Sequence, residues 1–126
     1  MSPNPLRLAV ERARDDALAR VSELQRSFDD IAASVDTANV DDEHDPEGTT
    51  LAFERAQVVS LLEEAREQLG ALEDAAARVD AGTYGVCERC GDEIGAERLA
   101  ALPAARACIE CTRLGARSRA RAAGVR

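Results

Sequence analysis

The chain has 126 residues, 24 Asp and Glu against 16 basic residues, a net charge of −8 and three aromatic side chains, Phe28, Phe53 and Tyr84. So few large side chains exclude a broad globular core, and no apolar run reaches the roughly 20 residues a membrane-spanning helix needs. The acidic bulk excludes a protein that grips nucleic acid along its length, because phosphate repels it.

The first residues, Met1-Ser2-Pro3-Asn4-Pro5-Leu6-Arg7, contain no apolar h-region of a signal peptide. A cytoplasmic protein is the expectation. From there, residues 6–38 read as one helix. Val10, Ala13, Ala17, Val21, Leu24, Phe28, Ile31, Val35 and Ala38 recur at steps of three and four, with charged residues filling most gaps.

Residues 51–80 repeat the pattern more cleanly. Val58, Leu62, Ala65, Leu69, Leu72, Ala76 and Val79 alternate steps of four and three, an a/d seam of three heptads that Leu51 extends. Gly70 is the one poor helix former inside it, and Gly82 stands where a C-terminal cap belongs. A helix with one apolar stripe is marginal alone in water. Two such helices joined by a short turn are expected to lie antiparallel and bury their stripes on each other. Thirty residues at 1.5 Å each give a hairpin about 45 Å long.

The connection near 39–49 is the acidic tip of this hairpin. From Asp29 to Glu47 there are eight acids and no arginine, and Asp41, Asp42, Glu43, Asp45 and Glu47 fall within seven positions. A solvated loop explains such a run. A stiff arm carrying carboxylates to a cationic or metal-containing target explains it as well, and makes Asp42, Asp45 and Glu47 candidate contact residues. Pro46 disfavours helix at Asp45, or with Asp45 begins the second helix. His44, the only histidine, has no nucleophile paired with it and is read as a solvated turn residue, since general-base work needs positioned partners.

All four cysteines follow. Cys87-Glu88-Arg89-Cys90 and Cys108-Ile109-Glu110-Cys111 are C-x-x-C pairs separated by seventeen residues. That spacing fits a zinc site, two thiolates from each turn completing a tetrahedron. Four convergent thiolates leave no open position, so one structural Zn²⁺ is expected and no metal chemistry. A rubredoxin-like iron site uses the same four ligands and is not separated by spacing. A disulfide pair suits a secreted chain, and a redox C-x-x-C suits a βαβ pattern that is absent here. Gly91 permits the backbone turn after the first pair. Tyr84 is read as a packing residue beside the site. Pro103 breaks the segment between the pairs.

Residues 1–80 carry nineteen acids and eight arginines, whereas residues 81–126 carry five acids and eight arginines. After Cys111 five arginines face no acid, and a short helix running into a basic tail is expected. The organisation is therefore mainly α: an antiparallel coiled-coil hairpin over 1–82, then a four-cysteine zinc-finger module with a short C-terminal helix and basic tail over 83–126.

This plan resembles the DksA/TraR family of bacterial transcription factors. The most specific stretch runs from Tyr84-Gly85-Val86-Cys87-Glu88-Arg89-Cys90-Gly91-Asp92-Glu93-Ile94-Gly95-Ala96-Glu97-Arg98-Leu99 through Leu102-Pro103-Ala104 to Cys108-Ile109-Glu110-Cys111. The resemblance implies a transcription regulator that binds RNA polymerase directly, without a DNA sequence motif; no enzyme is expected, because no nucleophile–base set or open metal site can be read. The regulator's hairpin tip would enter the secondary channel near the catalytic magnesium. In several members ppGpp strengthens the effect at the polymerase interface. The best-studied members carry Asp-x-x-Asp-x-Ala at the tip. Here one register gives Asp45-Pro46-Glu47-Gly48-Thr49-Thr50 and another gives Asp42-Glu43-His44-Asp45-Pro46-Glu47. The residues alone leave two other readings: a zinc-dependent nucleic-acid or protein adaptor using the basic tail, and an iron electron carrier.

Overall fold

A computed structural model of the chain describes residues 4–38 and 46–115, with side chains described over 4–34 and 49–115. It contains α1 (Pro5–Ala38), α2 (Pro46–Ala81) and α3 (Ala96–Ala101), and residues 109–115 are also helical. No helix among the described residues is long and apolar enough to cross a membrane.

The start of α1 is set by local chemistry. The Asn4 side chain accepts a hydrogen bond from the Leu6 N–H at 2.9 Å, and its carbonyl accepts one from the Leu8 N–H at 3.0 Å. Asn4 is thus an N-cap, and Pro5, which has no N–H to satisfy, takes the first helical position.

The second helix begins at Pro46, five residues before the apolar pattern suggests. The stretch 46–50 contains no apolar seam residue, so periodicity cannot register it. Proline is nevertheless suited to a first turn, and the extra turn propagates from the packed helix behind it. Residues 46–49 therefore belong to α2 and not to the connecting loop.

The end of α2 is a Schellman motif. Gly82, at φ 78°, donates to the Val79 carbonyl at 3.2 Å, and the Thr83 N–H donates to the Arg78 carbonyl at 2.9 Å. These are the 5→2 and 6→1 bonds of that cap, and its left-handed residue is glycine because a Cβ there is strained.

The described residues group into two compact units. One comprises the α1 and α2 segments within 14–70. There the guanidinium of Arg66 donates to Gln25 at 2.7 Å, and the Arg55 guanidinium lies 5.3 Å from the centre of the Phe28 ring. As numbers rise along α1 they fall along α2, so the two segments are antiparallel. Leu62 and Ala65 are buried, and Ala17, Val21, Leu24, Phe28, Ile31, Val58 and Leu69 are half-buried, which matches the expected stripes.

The other unit joins residues 4–13 and 71–115. Arg7 of α1 pairs with Asp80 of α2, and Val10, Leu72 and Ala75 are almost completely buried. The cysteines lie in this unit, so the turns of helix beside them supply the apolar packing a small metal module lacks. Alanine occupies Ala65 and Ala75, two of the most buried positions among the described residues.

Candidate metal centre

The first cysteine pair is built by a short hairpin directly after the α2 cap. Val86 and Glu93 form an isolated antiparallel bridge. The Cys87 N–H donates to the Asp92 carbonyl at 2.8 Å, and the Ile94 N–H donates to Gly85 at 2.8 Å. The Gly91 N–H returns to the Cys87 carbonyl at 3.0 Å, with Gly91 at φ 80°. This tight reversal turns Cys87 and Cys90 to the same side, and it needs a residue without Cβ strain. Ile94 is buried and anchors the hairpin.

Next, α3 and its exit carry the chain to the second pair. Leu102 closes α3 with an N–H bond to the Arg98 carbonyl at 2.7 Å. Pro103 lies in the turn that follows. The Tyr84 hydroxyl donates to the Pro103 carbonyl at 2.8 Å, so the packing role read from the sequence is accompanied by a hydrogen bond. Burial raises the phenol pKa, partly offset by the nearby Arg78 guanidinium. The Arg78 Nη1 and Nη2 atoms are buried with no hydrogen-bond partner among the described residues.

In the second pair, the Cys111 N–H points at the Cys108 sulfur at 3.5 Å, and the Thr112 N–H donates to the Cys108 carbonyl at 3.0 Å. Arginine side chains supply further ties. The Arg89 Nη1 donates to the Cys111 carbonyl at 3.3 Å. Arg98 Nε donates to the Ala107 carbonyl at 3.1 Å and its Nη2 to the Thr112 hydroxyl at 3.1 Å. Arg106 lies 3.7 Å from Asp74 and 3.8 Å from Glu88.

The result is one cluster. The sulfurs of Cys87, Cys90, Cys108 and Cys111 all lie within 4.8 Å of one another. Cys90 and Cys108 are 3.8 Å apart. A tetrahedron with Zn–S bonds of about 2.3 Å has edges of about 3.8 Å, so the Cys90–Cys108 pair already stands at the expected edge length and the four donors are gathered closely enough for one zinc. The protons on these thiols are unequal. Backbone N–H groups of Cys90, Cys108 and Arg89 aimed at Cys87 bring its pKa down to about 6, the Cys90 contribution being the largest. Cys111 is pushed up to about 12, chiefly by its hydrogen bond with Cys108 and by burial. Four thiolates this close repel one another, and a divalent cation relieves that repulsion. The four sulfurs are placed to hold one structural zinc and would fill its tetrahedral positions.

The other candidate residues stand apart from this centre. Asp42 and Asp45, with His44, lie outside the described residues, as does the side chain of Glu47. The basic tail beyond residue 115 lies outside them too. The sequence reading did not anticipate α3 or the bridging roles of Arg98 and Arg106. Six residues are too few for a periodic signal, and the arginine partners are distant in sequence.

Comparison with known proteins agrees with this geometry. Residues 82–113 match the family described as the prokaryotic dksA/traR C4-type zinc finger. A protein of Aquifex aeolicus (strain VF5) is 53% identical over 34 residues, 27% of this chain and 23% of that protein. Two proteins of Bacillus subtilis (strain 168) match over 69 residues, 55% of this chain. YteA is 39% identical with 29% of its length covered, and general stress protein 16O is 41% identical with 42% covered. The chain thus spans less than half the length of these relatives. The solved structure of transcription factor DksA2 from Pseudomonas aeruginosa superposes with a TM-score of 0.59 at 26% identity, covering 89% of this chain and 87% of that one.

Proposed function

Because the chain belongs to the DksA/TraR family, we propose that it is a transcription regulator that binds RNA polymerase directly and carries the acidic connection between α1 and α2 into the secondary channel. The observation that carries this reading is the likeness to transcription factor DksA2 over 89% of this chain, well beyond the zinc finger alone. Physical chemistry supports it. Paired helices with alanine in their buried seam form a thin element, and a thin element enters a channel that a globular domain cannot. Carboxylates at its end interact with a catalytic magnesium or with cationic catalytic elements. Zinc has a structural role in this scheme and takes part in no reaction.

The test is capture of core RNA polymerase by the tagged protein, with crosslinking from a photoreactive residue placed at position 42. Crosslinks to secondary-channel segments are expected, and their absence in a formed complex contradicts insertion. Replacing Asp42, Asp45 and Glu47 by Asn, Asn and Gln should preserve zinc content and helicity. It should abolish the effect on a sensitive promoter in multi-round transcription, with polymerase binding partly kept. Addition of ppGpp to the same reactions tests whether the alarmone strengthens the effect. A triple variant that regulates like the parent makes the acidic run a solvated loop.

A further inference from the structure

From the bonds around the second cysteine pair we infer that Arg98 is the positioning residue of the zinc centre, holding Cys108 and Cys111 at coordination distance before the metal arrives. Ala107 immediately precedes Cys108, and Thr112 immediately follows Cys111. Arg98 grips both, through Nε to the Ala107 carbonyl and through Nη2 to the Thr112 hydroxyl, each at 3.1 Å. Nε and Nη2 form one edge of a rigid planar fork, so the spacing of the two acceptors is fixed by the guanidinium itself.

The origin of the grip matters as much as its grasp. Arg98 stands on α3, and α3 follows directly from the first-pair hairpin through Ile94 and Gly95. Ile94 is buried and bonded to Gly85, and the Leu99 N–H is bonded to the Gly95 carbonyl at 3.1 Å. Arg98 therefore ties the second pair to the element that already orients the first. Two other hydrogen bonds among the described residues support the same alignment, Glu88 N–H to the Arg106 carbonyl at 2.9 Å and Arg89 to the Cys111 carbonyl. Neither spans the pair from end to end as Arg98 does.

Groups that orient metal ligands from outside the coordination sphere commonly change metal affinity about tenfold to a hundredfold when removed. Arg98→Ala should weaken zinc binding by about that factor in competition with a chromophoric chelator. It should also speed zinc release and shift the visible d–d bands of the cobalt-substituted protein, which report ligand geometry. Arg98→Lys should not restore either property, because an ammonium lacks the planar fork. Thr112→Val removes one acceptor at nearly constant volume and should give a smaller loss in the same direction. Tyr84→Phe, which loosens the module away from the second pair, sets the baseline for general destabilisation. Arg66→Ala, whose partner is Gln25, controls for loss of an arginine and should leave zinc binding unchanged.

These measurements need no polymerase, so their outcome is independent of the regulatory reading. Parent-like affinity and cobalt spectra in Arg98→Ala overturn the inference. So does a loss no larger than that of Tyr84→Phe. If Arg98→Ala does not assemble, Thr112→Val decides the matter, and parent-like binding in that variant also overturns it.

Discussion

Tyr84 and Pro103 are nineteen positions apart and joined by a 2.8 Å hydrogen bond from phenol to carbonyl. This bond closes the segment between the two cysteine pairs on the residue that follows the α2 cap. Tyr84→Phe keeps the ring and leaves the Pro103 carbonyl without its donor. It should lower the stability of the zinc-loaded module by about 1–2 kcal/mol. Chemical denaturation followed by zinc release measures it, and an unchanged midpoint would show that water replaces the bond at no cost.

Zinc uptake should release fewer than four protons per metal near neutral pH. Metal binding expels the thiol protons, but Cys87, with its pKa lowered to about 6, has already lost most of its own. Cys111, raised to about 12, releases its proton to the buffer only when the metal displaces it. The sign follows from these directions. The advantage of the Cys87 thiolate is complete above the ordinary thiol pKa and is lost as pH falls through about 6. Calorimetry in buffers of different ionisation enthalpy counts the protons, and a value of four contradicts the asymmetry.

Gly70 and Gly82 should respond oppositely to alanine. Gly70 lies within α2 with open space where a Cβ would stand. Gly70→Ala should stabilise the chain by roughly 0.5–1 kcal/mol. Gly82 occupies the left-handed cap position at φ 78°. Gly82→Ala should destabilise by about 1 kcal/mol or more, although it also meets open space. Thermal unfolding of both variants checks the pair, and equal effects would mean that the cap geometry is not what selects glycine.

Leu62 is buried and Glu64 exposed, two positions apart on α2. Leu62→Asp places an unpaired carboxylate in the seam and should cost at least about 3 kcal/mol. Glu64→Gln should stay within about 0.5 kcal/mol. Circular dichroism through a denaturation series separates these outcomes, and similar losses would contradict the seam.

The sequence was most legible where packing is periodic. The step pattern from Val58 to Leu72 announced its buried face because each turn of helix repeats the same geometric demand. The cysteine spacing was legible because a tetrahedral metal accepts few arrangements. What escaped has non-local or aperiodic causes. Pro46 was readable as a helix opener, yet no apolar residue marks the turn it starts. Asn4 acts through a single cap. Arg98 is one of sixteen basic residues, and only the folded chain brings Ala107 and Thr112 to its fork.

The smallness of Ala65 and Ala75 also bears on how this protein can vary. Both sit at almost fully buried positions. Facing helices lie about 8–10 Å apart according to the side chains between them. A leucine at either position would force local separation or misfit, at roughly 1–3 kcal/mol. Exposed acids and arginines can exchange over generations with little effect on calibre. Two methyl groups thus act as a gauge, setting the local helix spacing at positions that the charged exterior does not reach.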